Sequence, residues 1–147
     1  MSPDEKEAFH REAESRIQPL GFTTPDSGKP KDVMLLGKTE RMRTLVQIVK
    51  EGGENNLHYH TNTDTTWVVL KGRVRFYGLG DELIGEYGPS EGILIPGGSR
   101  YWFEKAGEEQ LDLLQVVAVE SGAKGERINI DKHKNWMDDT EMLKVYE

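Results

Sequence analysis

The chain has 147 residues, no cysteine, and 19 basic against 26 acidic side chains, a formal charge of −7. That length suits one domain, and the missing cysteines exclude disulfides, thiolate zinc or iron–sulfur sites and a cysteine nucleophile, so any metal must be held by histidine, carboxylate or another oxygen ligand. The acidic balance argues against nucleic acid or an anionic membrane as partner, no apolar run is long enough to span a bilayer, and Met1 to Lys6 opens without the apolar core of a signal peptide. A soluble, cytoplasmic protein is the expectation.

Residues 3–18 are rich in Glu, Lys, Arg and Ala, and Phe9, Ala13, Ile17 and Leu20 recur at helical spacing, so an amphipathic helix ended by Pro19 is predicted. The polar, turn-forming stretch from Thr24 to Pro30 then reads as a linker. From Val33 to Val119 the chain breaks into short pieces bounded by Gly and Pro, with period-two alternation inside them. Strands are predicted over 44–49, 65–70, 73–76, 83–87, 93–95, 100–104 and 111–119. Nothing between them is long enough for a crossover helix, which points to an antiparallel sandwich or barrel. The expected division is a helix and linker over 1–30, a barrel over 31–120 and a C-terminal extension over 121–147. Within that extension Trp136 and Met137 suggest docking, on the barrel or on a neighbouring subunit, and Glu141 to Tyr146 a short helix.

Of the four histidines, His58 and His60 stand one residue apart. On a strand that spacing puts both imidazoles on one face, with Tyr59 on the other. Two neutral imidazoles converging in this way suit a divalent first-row metal such as iron, zinc, nickel or manganese. His10, among charges in the predicted helix, and His133, between lysines, read as solvated side chains. Asp81-Glu82 and Glu108-Glu109 fall at turns, and Arg73 and Arg75 alternate with Val74 and Phe76, which assigns the arginines to an outer face. Gly88-Pro89 and Pro96-Gly97-Gly98 are turn chemistry without a phosphate-binding loop.

Gly52, five intervening residues, His58-x-His60 and a strand ending in Gly72 resemble the first motif of the cupin superfamily. Gly92-Ile93-Leu94-Ile95-Pro96-Gly97-Gly98 resembles the second. The resemblance covers about Val33 to Val119 and implies an all-β jelly roll of the double-stranded β-helix type, commonly a homodimer. It also implies four metal ligands, and two of those positions depart from the pattern. Thr65, with Asp64 beside it, stands where the family carries its acidic ligand, and Tyr101 stands where it carries its last histidine. Strand parity shared with Trp67 and Val69 turns Thr65 toward the cavity and Asp64 away, unless a bulge re-aims the strand.

Three readings follow. In the first, His58 and His60 hold a metal, Tyr101, Asp64 or water completes the shell, and the substrate carries a carbonyl or carboxylate. In the second, a His58 or His60 base and a Tyr101 acid act without metal, as in the sugar epimerase branch of the superfamily. In the third, the barrel binds a small ligand or regulates a partner without catalysis. Trp67 and Phe103 are expected to form an apolar pocket wall, and Arg100 to stand at the rim, where it could guide an anionic substrate.

Overall fold

The computed structural model describes residues 1–120 and 126–132. The alternating segments form strands β1 (Lys31–Lys38), β2 (Met42–Val49), β3 (His58–Thr61), β4 (Thr63–Lys71), β5 (Arg73–Tyr77), β6 (Leu83–Tyr87), β7 (Gly92–Ile95), β8 (Trp102–Ala106), β9 (Leu111–Val119) and β10 (Glu126–Asn129). Every pairing is antiparallel. One sheet runs β1-β2-β9-β4-β7, another β6-β5-β8, and β10 pairs with β3. A bridge between His58 and Tyr101, hydrogen-bonded both ways at 3.1 and 2.9 Å, ties β3 to the segment that enters β8. The smaller sheets therefore act as one wall facing the five-stranded one. The fold is an all-β double-stranded β-helix, as expected. β1, β3 and β10 add to the predicted strands, and β10 draws residues beyond position 120 into the second wall.

Hydrophobic burial between the two walls closes the barrel. Trp67 from the larger sheet meets Phe76 and Phe103 from the smaller, with ring centroids 5.2–5.9 Å apart. Val49, Val69, Val74, Ile95, Tyr101, Leu111 and Leu113 complete the cluster, each large side chain contributing about 1.5–3 kcal/mol by leaving water. Two motif glycines are fixed by space and conformation. Gly72 turns the chain from β4 to β5 at φ +81°, and a Cβ on Gly92 would lie 1.8 Å from the Trp67 carbonyl oxygen.

The N-terminal helix α1 spans Pro3–Ser15, shorter than the predicted 3–18. Ser2 caps it by accepting from the Glu5 amide at 3.2 Å, and Asp4 and Glu5 complement its dipole. None of its residues is buried, so the barrel leaves the predicted apolar stripe uncovered. Beyond the helix, the chain returns to the edge strand β1. The Gln18 carboxamide accepts from the Lys38 amide at 2.9 Å and donates to the Lys38 carbonyl at 2.8 Å. Leu20 there sits over Gly37, 2.7 Å from where a Cβ would be. Trp136, Met137, His133 and the predicted helix over 141–146 lie outside the described residues.

Candidate functional site

β3 presents His58 and His60 to the interior, and both are buried while Tyr59 is only half-buried. Their ring centroids stand 4.8 Å apart at an interplanar angle of 83°. Tyr101, brought opposite His58 by the bridge, is also buried, with its ring 4.6 Å from His58 and 6.3 Å from His60. Three of the predicted site residues are thus gathered at one place in the barrel.

The larger wall adds Thr65, buried on the same inner face as Trp67. Beside Trp67 in register lies Gln115, whose side-chain oxygen accepts from Gln47 Nε2 at 3.0 Å. The Trp67 indole N–H and the Gln47 amide oxygen are buried with no hydrogen-bond partner among the described residues, so this wall offers a ligand both a donor and an acceptor. Trp67 and Phe103 are buried core side chains packed on one another, with ring centroids 5.2 Å apart.

Two pocket candidates fall outside. Asp64 is exposed and accepts from the Gly97 amide at 2.9 Å, clamping the turn between β7 and β8. No bulge re-aims β4 at this point, and residues 63–69 keep an unbroken register with β9. Arg100 is exposed as well, because Tyr101 takes the inward position and alternation sends its predecessor out.

The structure also brings in side chains that the sequence reading missed. Arg127 on β10 lies directly opposite His60 on β3, and it is buried. Its guanidinium donates to Asn56 Oδ1 at 2.7 Å and to the Asn129 side-chain oxygen. Asn56 in turn donates to Asn129 Oδ1 at 3.0 Å and to the Asp131 carbonyl at 2.9 Å. The backbone carbonyl of Asn56 is 2.7 Å from His58 Nδ1. A carbonyl only accepts, so this contact fixes the proton on Nδ1 and leaves the lone pair on Nε2. Lys31 is buried with its ammonium nitrogen 4.4 Å from the centroid of the Phe103 ring. The available signal for Arg127 was the period-two pattern Arg127-Ile128-Asn129-Ile130, which marks a strand.

Burial, reinforced by the positive charge of Arg127, pushes His60 down to about 3 and holds His58 well below the usual imidazole range. Burial, then Arg127, also lowers Lys31 to about 7, opposed by Glu54. At neutral pH both imidazoles are therefore neutral. Two neutral imidazoles, one with its tautomer fixed by a carbonyl, fit a divalent transition ion. Among the described residues no group of three His, Asp or Glu side chains forms around them. Further positions would fall to Tyr101, water or an oxygen of the substrate.

Residues 45–117 match the family model of the cupin domain. The chain belongs to the cupin superfamily. Solved cupins and double-stranded β-helix proteins reproduce its fold at low sequence identity. An uncharacterized conserved double-stranded β-helix protein from Klebsiella pneumoniae has 20% identity and a TM-score of 0.64, covering 80% of this chain and 95% of that one. KdgF from Halomonas has 14% identity and a TM-score of 0.57, covering 67% and 89%. Bacillus subtilis oxalate decarboxylase, described with Mn(II) centres, has 16% identity and a TM-score of 0.55. The match covers 74% of this cupin and only 30% of the decarboxylase. No curated protein matches the sequence at a significant level. Among the described residues no helix is long and apolar enough to cross a membrane.

Proposed function

We propose that this cupin serves small-molecule metabolism, with His58 and His60 holding a divalent transition metal (iron, zinc, nickel or manganese) and a carbonyl- or carboxylate-bearing molecule as substrate. The observation that carries this reading is the buried pair of neutral imidazoles 4.8 Å apart, with His58 Nδ1 committed to the Asn56 carbonyl. When bound, such an ion supplies Lewis acidity toward a substrate oxygen. The chain itself orients His58 through Asn56, walls the site with Trp67 and Phe103, and sets the Tyr101 ring beside the imidazoles. Thr65, in place of an acidic ligand, leaves the protein's share of the site uncharged at that position. The Mn(II) centres described for the oxalate decarboxylase lend support at the level of the superfamily.

A second reading, acid–base catalysis without metal, is favoured by the 4.6 Å approach of the Tyr101 and His58 rings. There the His58 Nε2 lone pair takes a proton and the Tyr101 hydroxyl gives one. On either reading the protein works in the cytoplasm as a homodimer, and the uncovered apolar side chains Phe9, Ile17 and Leu20 support self-association. A monomer mass in light scattering at micromolar concentration would count against the dimer.

Mass-spectrometric metal analysis of untagged protein tests the main reading. Stoichiometric metal is expected in the native chain and absent from the double variant His58→Ala/His60→Ala, whose circular dichroism remains that of a β-barrel. Protein that copurifies with no metal and gains none on soaking sinks the metal-dependent reading, and metal retained by the double variant sinks the site assignment.

A further inference from the structure

The two outer faces of the barrel differ in kind. That of the smaller wall carries Arg73, Arg75, Glu86 and Glu104, as a water-facing antiparallel sheet should. On the larger sheet Thr65 and Trp67 point inward, so Thr66 points out. Direct opposition puts Leu94, Thr66, Val116, Thr44 and Gly37 in one outward row across all five strands. Val68 and Leu114 stand in the next row, and Ala118 and Met42 in the row on the other side. Between Asp64 at one end and Asp112 at the other, the paired residues of β4, β7 and β9 present no charge to this side. Near β1 the chain covers the face itself, since Val46 and Ile48 are wholly buried and Leu20 lies against Gly37. Elsewhere it is open. Leu94 is 64% and Met42 42% exposed, and Val68, Leu114 and Val116 are only half-buried. Helix α1 borders the same region, because Gln18 ties the chain behind it to Lys38, which opposes Arg43 next to Met42. Yet no residue of α1 is buried, and its 13 residues are too few for a stable helix in water without cover.

We propose that the open outer face of β9-β4-β7 docks a second copy of this chain, the two sheets packing face to face around a two-fold axis while α1 of each copy covers apolar surface of the other. This rests on the homodimer of the functional reading and adds where the copies meet. A two-fold interface uses the same patch on both partners, so the patch must complement itself. An uncharged apolar face meets that condition, and in a chain of net charge −7 it lets two copies meet with least repulsion. From β2 to β7 the face spans three inter-strand gaps of about 4.8 Å and at most nine residues of about 3.3 Å, on the order of 400 Å². A specific interface takes about 600 Å² or more from each partner. The helix, about 20 Å long and 10 Å wide, brings roughly 200 Å², so sheet and helix together reach an area that neither reaches alone. The described chain leaves off beside β3 in the opposite wall, where Asp131 donates to the Leu57 carbonyl at 3.1 Å. That position favours a second copy over the chain's own C-terminal segment as the occupant.

The test uses the full chain in two measurements. Analytical ultracentrifugation compares it with the double variant Leu94→Glu/Ala118→Glu, whose two sites are exposed and so leave the protomer folded by circular dichroism. Like charges brought together at the axis should weaken dimerisation about a hundredfold or more. Hydroxyl-radical labelling of the native chain, each residue normalised to its labelling in the unfolded chain, then reads the face directly. Leu94, Met42 and Phe9 should be labelled several-fold less in the dimer than Leu79 and Leu83, which are 51% and 54% exposed on a single chain. Equal labelling of the two groups in a dimer overturns the proposed face and spares the homodimer, as does unchanged affinity in the double variant. A native chain that stays monomeric at micromolar concentration overturns both. A monomer in which Leu94 and Met42 are nonetheless protected overturns the proposal in favour of the chain's own C-terminal segment. The labelling is made on the native sequence, so it decides the matter even where the double variant does not fold.

Discussion

The second wall of the barrel carries arginine on both of its faces. On the outer face, Arg75 meets Glu86 at 2.6 Å and Glu104 at 3.8 Å, Arg73 meets Glu86 at 3.2 Å, and all four side chains keep substantial contact with water. Nearby Tyr77 stacks on Trp102 at 4.3 Å. On the inner face, Arg127 is buried against two carboxamides, beside two imidazoles. The outer arginines are screened by solvent beside their carboxylates, whereas the inner one acts on His58, His60 and Lys31 from within the barrel. The same residue type thus stands on a solvated sheet face in one place and in a buried interior in the other.

Four substitutions or conditions sharpen that contrast. Phe103→Ala removes the ring that supports Trp67, Phe76 and the Lys31 ammonium, and it should cost about 3–5 kcal/mol in chemical denaturation. A cost under about 1 kcal/mol would show that the two walls are not packed through this cluster. Asn56→Ala deletes one acceptor of the buried guanidinium while keeping the backbone carbonyl beside His58. A loss of about 1.5–3 kcal/mol is expected, with the His58 tautomer unchanged by imidazole nitrogen shifts.

The third is pH. In the metal-free chain both imidazoles remain neutral when folded, but they protonate near 6.5 once unfolded. Below that pH the unfolded state binds more protons, so stability falls as the pH drops from 6.5 toward the folded His60 value of about 3. The slope is about 1.4 kcal/mol per pH unit for each histidine. Lys31 acts in the same direction at higher pH, lowering stability as the pH falls from 10.5 to about 7. A flat urea midpoint between pH 6.5 and 4 would contradict the burial of the histidines. Smallest of all, Arg75→Gln on the outer face should leave the midpoint unchanged within error, because its ion pairs are solvated.

Much of the barrel was legible because its punctuation is local. Gly and Pro bound strands whose alternation survives in the structure, and the parity of Thr65 against Asp64 follows from the pleat alone. The inward turn of His58 and His60 was readable for the same reason. Arg127 and Lys31 were not, because each reaches the histidines through pairings distant in sequence, and in isolation each looks like an ordinary surface cation. Arg100, read as a rim residue, is exposed. Its neighbour Tyr101 claims the interior, and one residue's displacement along a strand exchanges inside for outside. Phe9 and Ala13 of the predicted stripe lie on the helix and Ile17 and Leu20 beyond its end at Ser15, and periodicity carries no information about what a helix packs against.

The Gln18 clip on β1 bears on how copies of this molecule meet. β1 ends its sheet, and an open edge offers unpaired amide and carbonyl groups to any extended segment of another chain. By occupying both groups of Lys38, a single side chain imitates one rung of a strand without supplying the next. Sheet growth by addition of a further strand is stopped at that rung, and contacts between copies are steered toward side-chain faces, where association can close on itself rather than extend into a fibre.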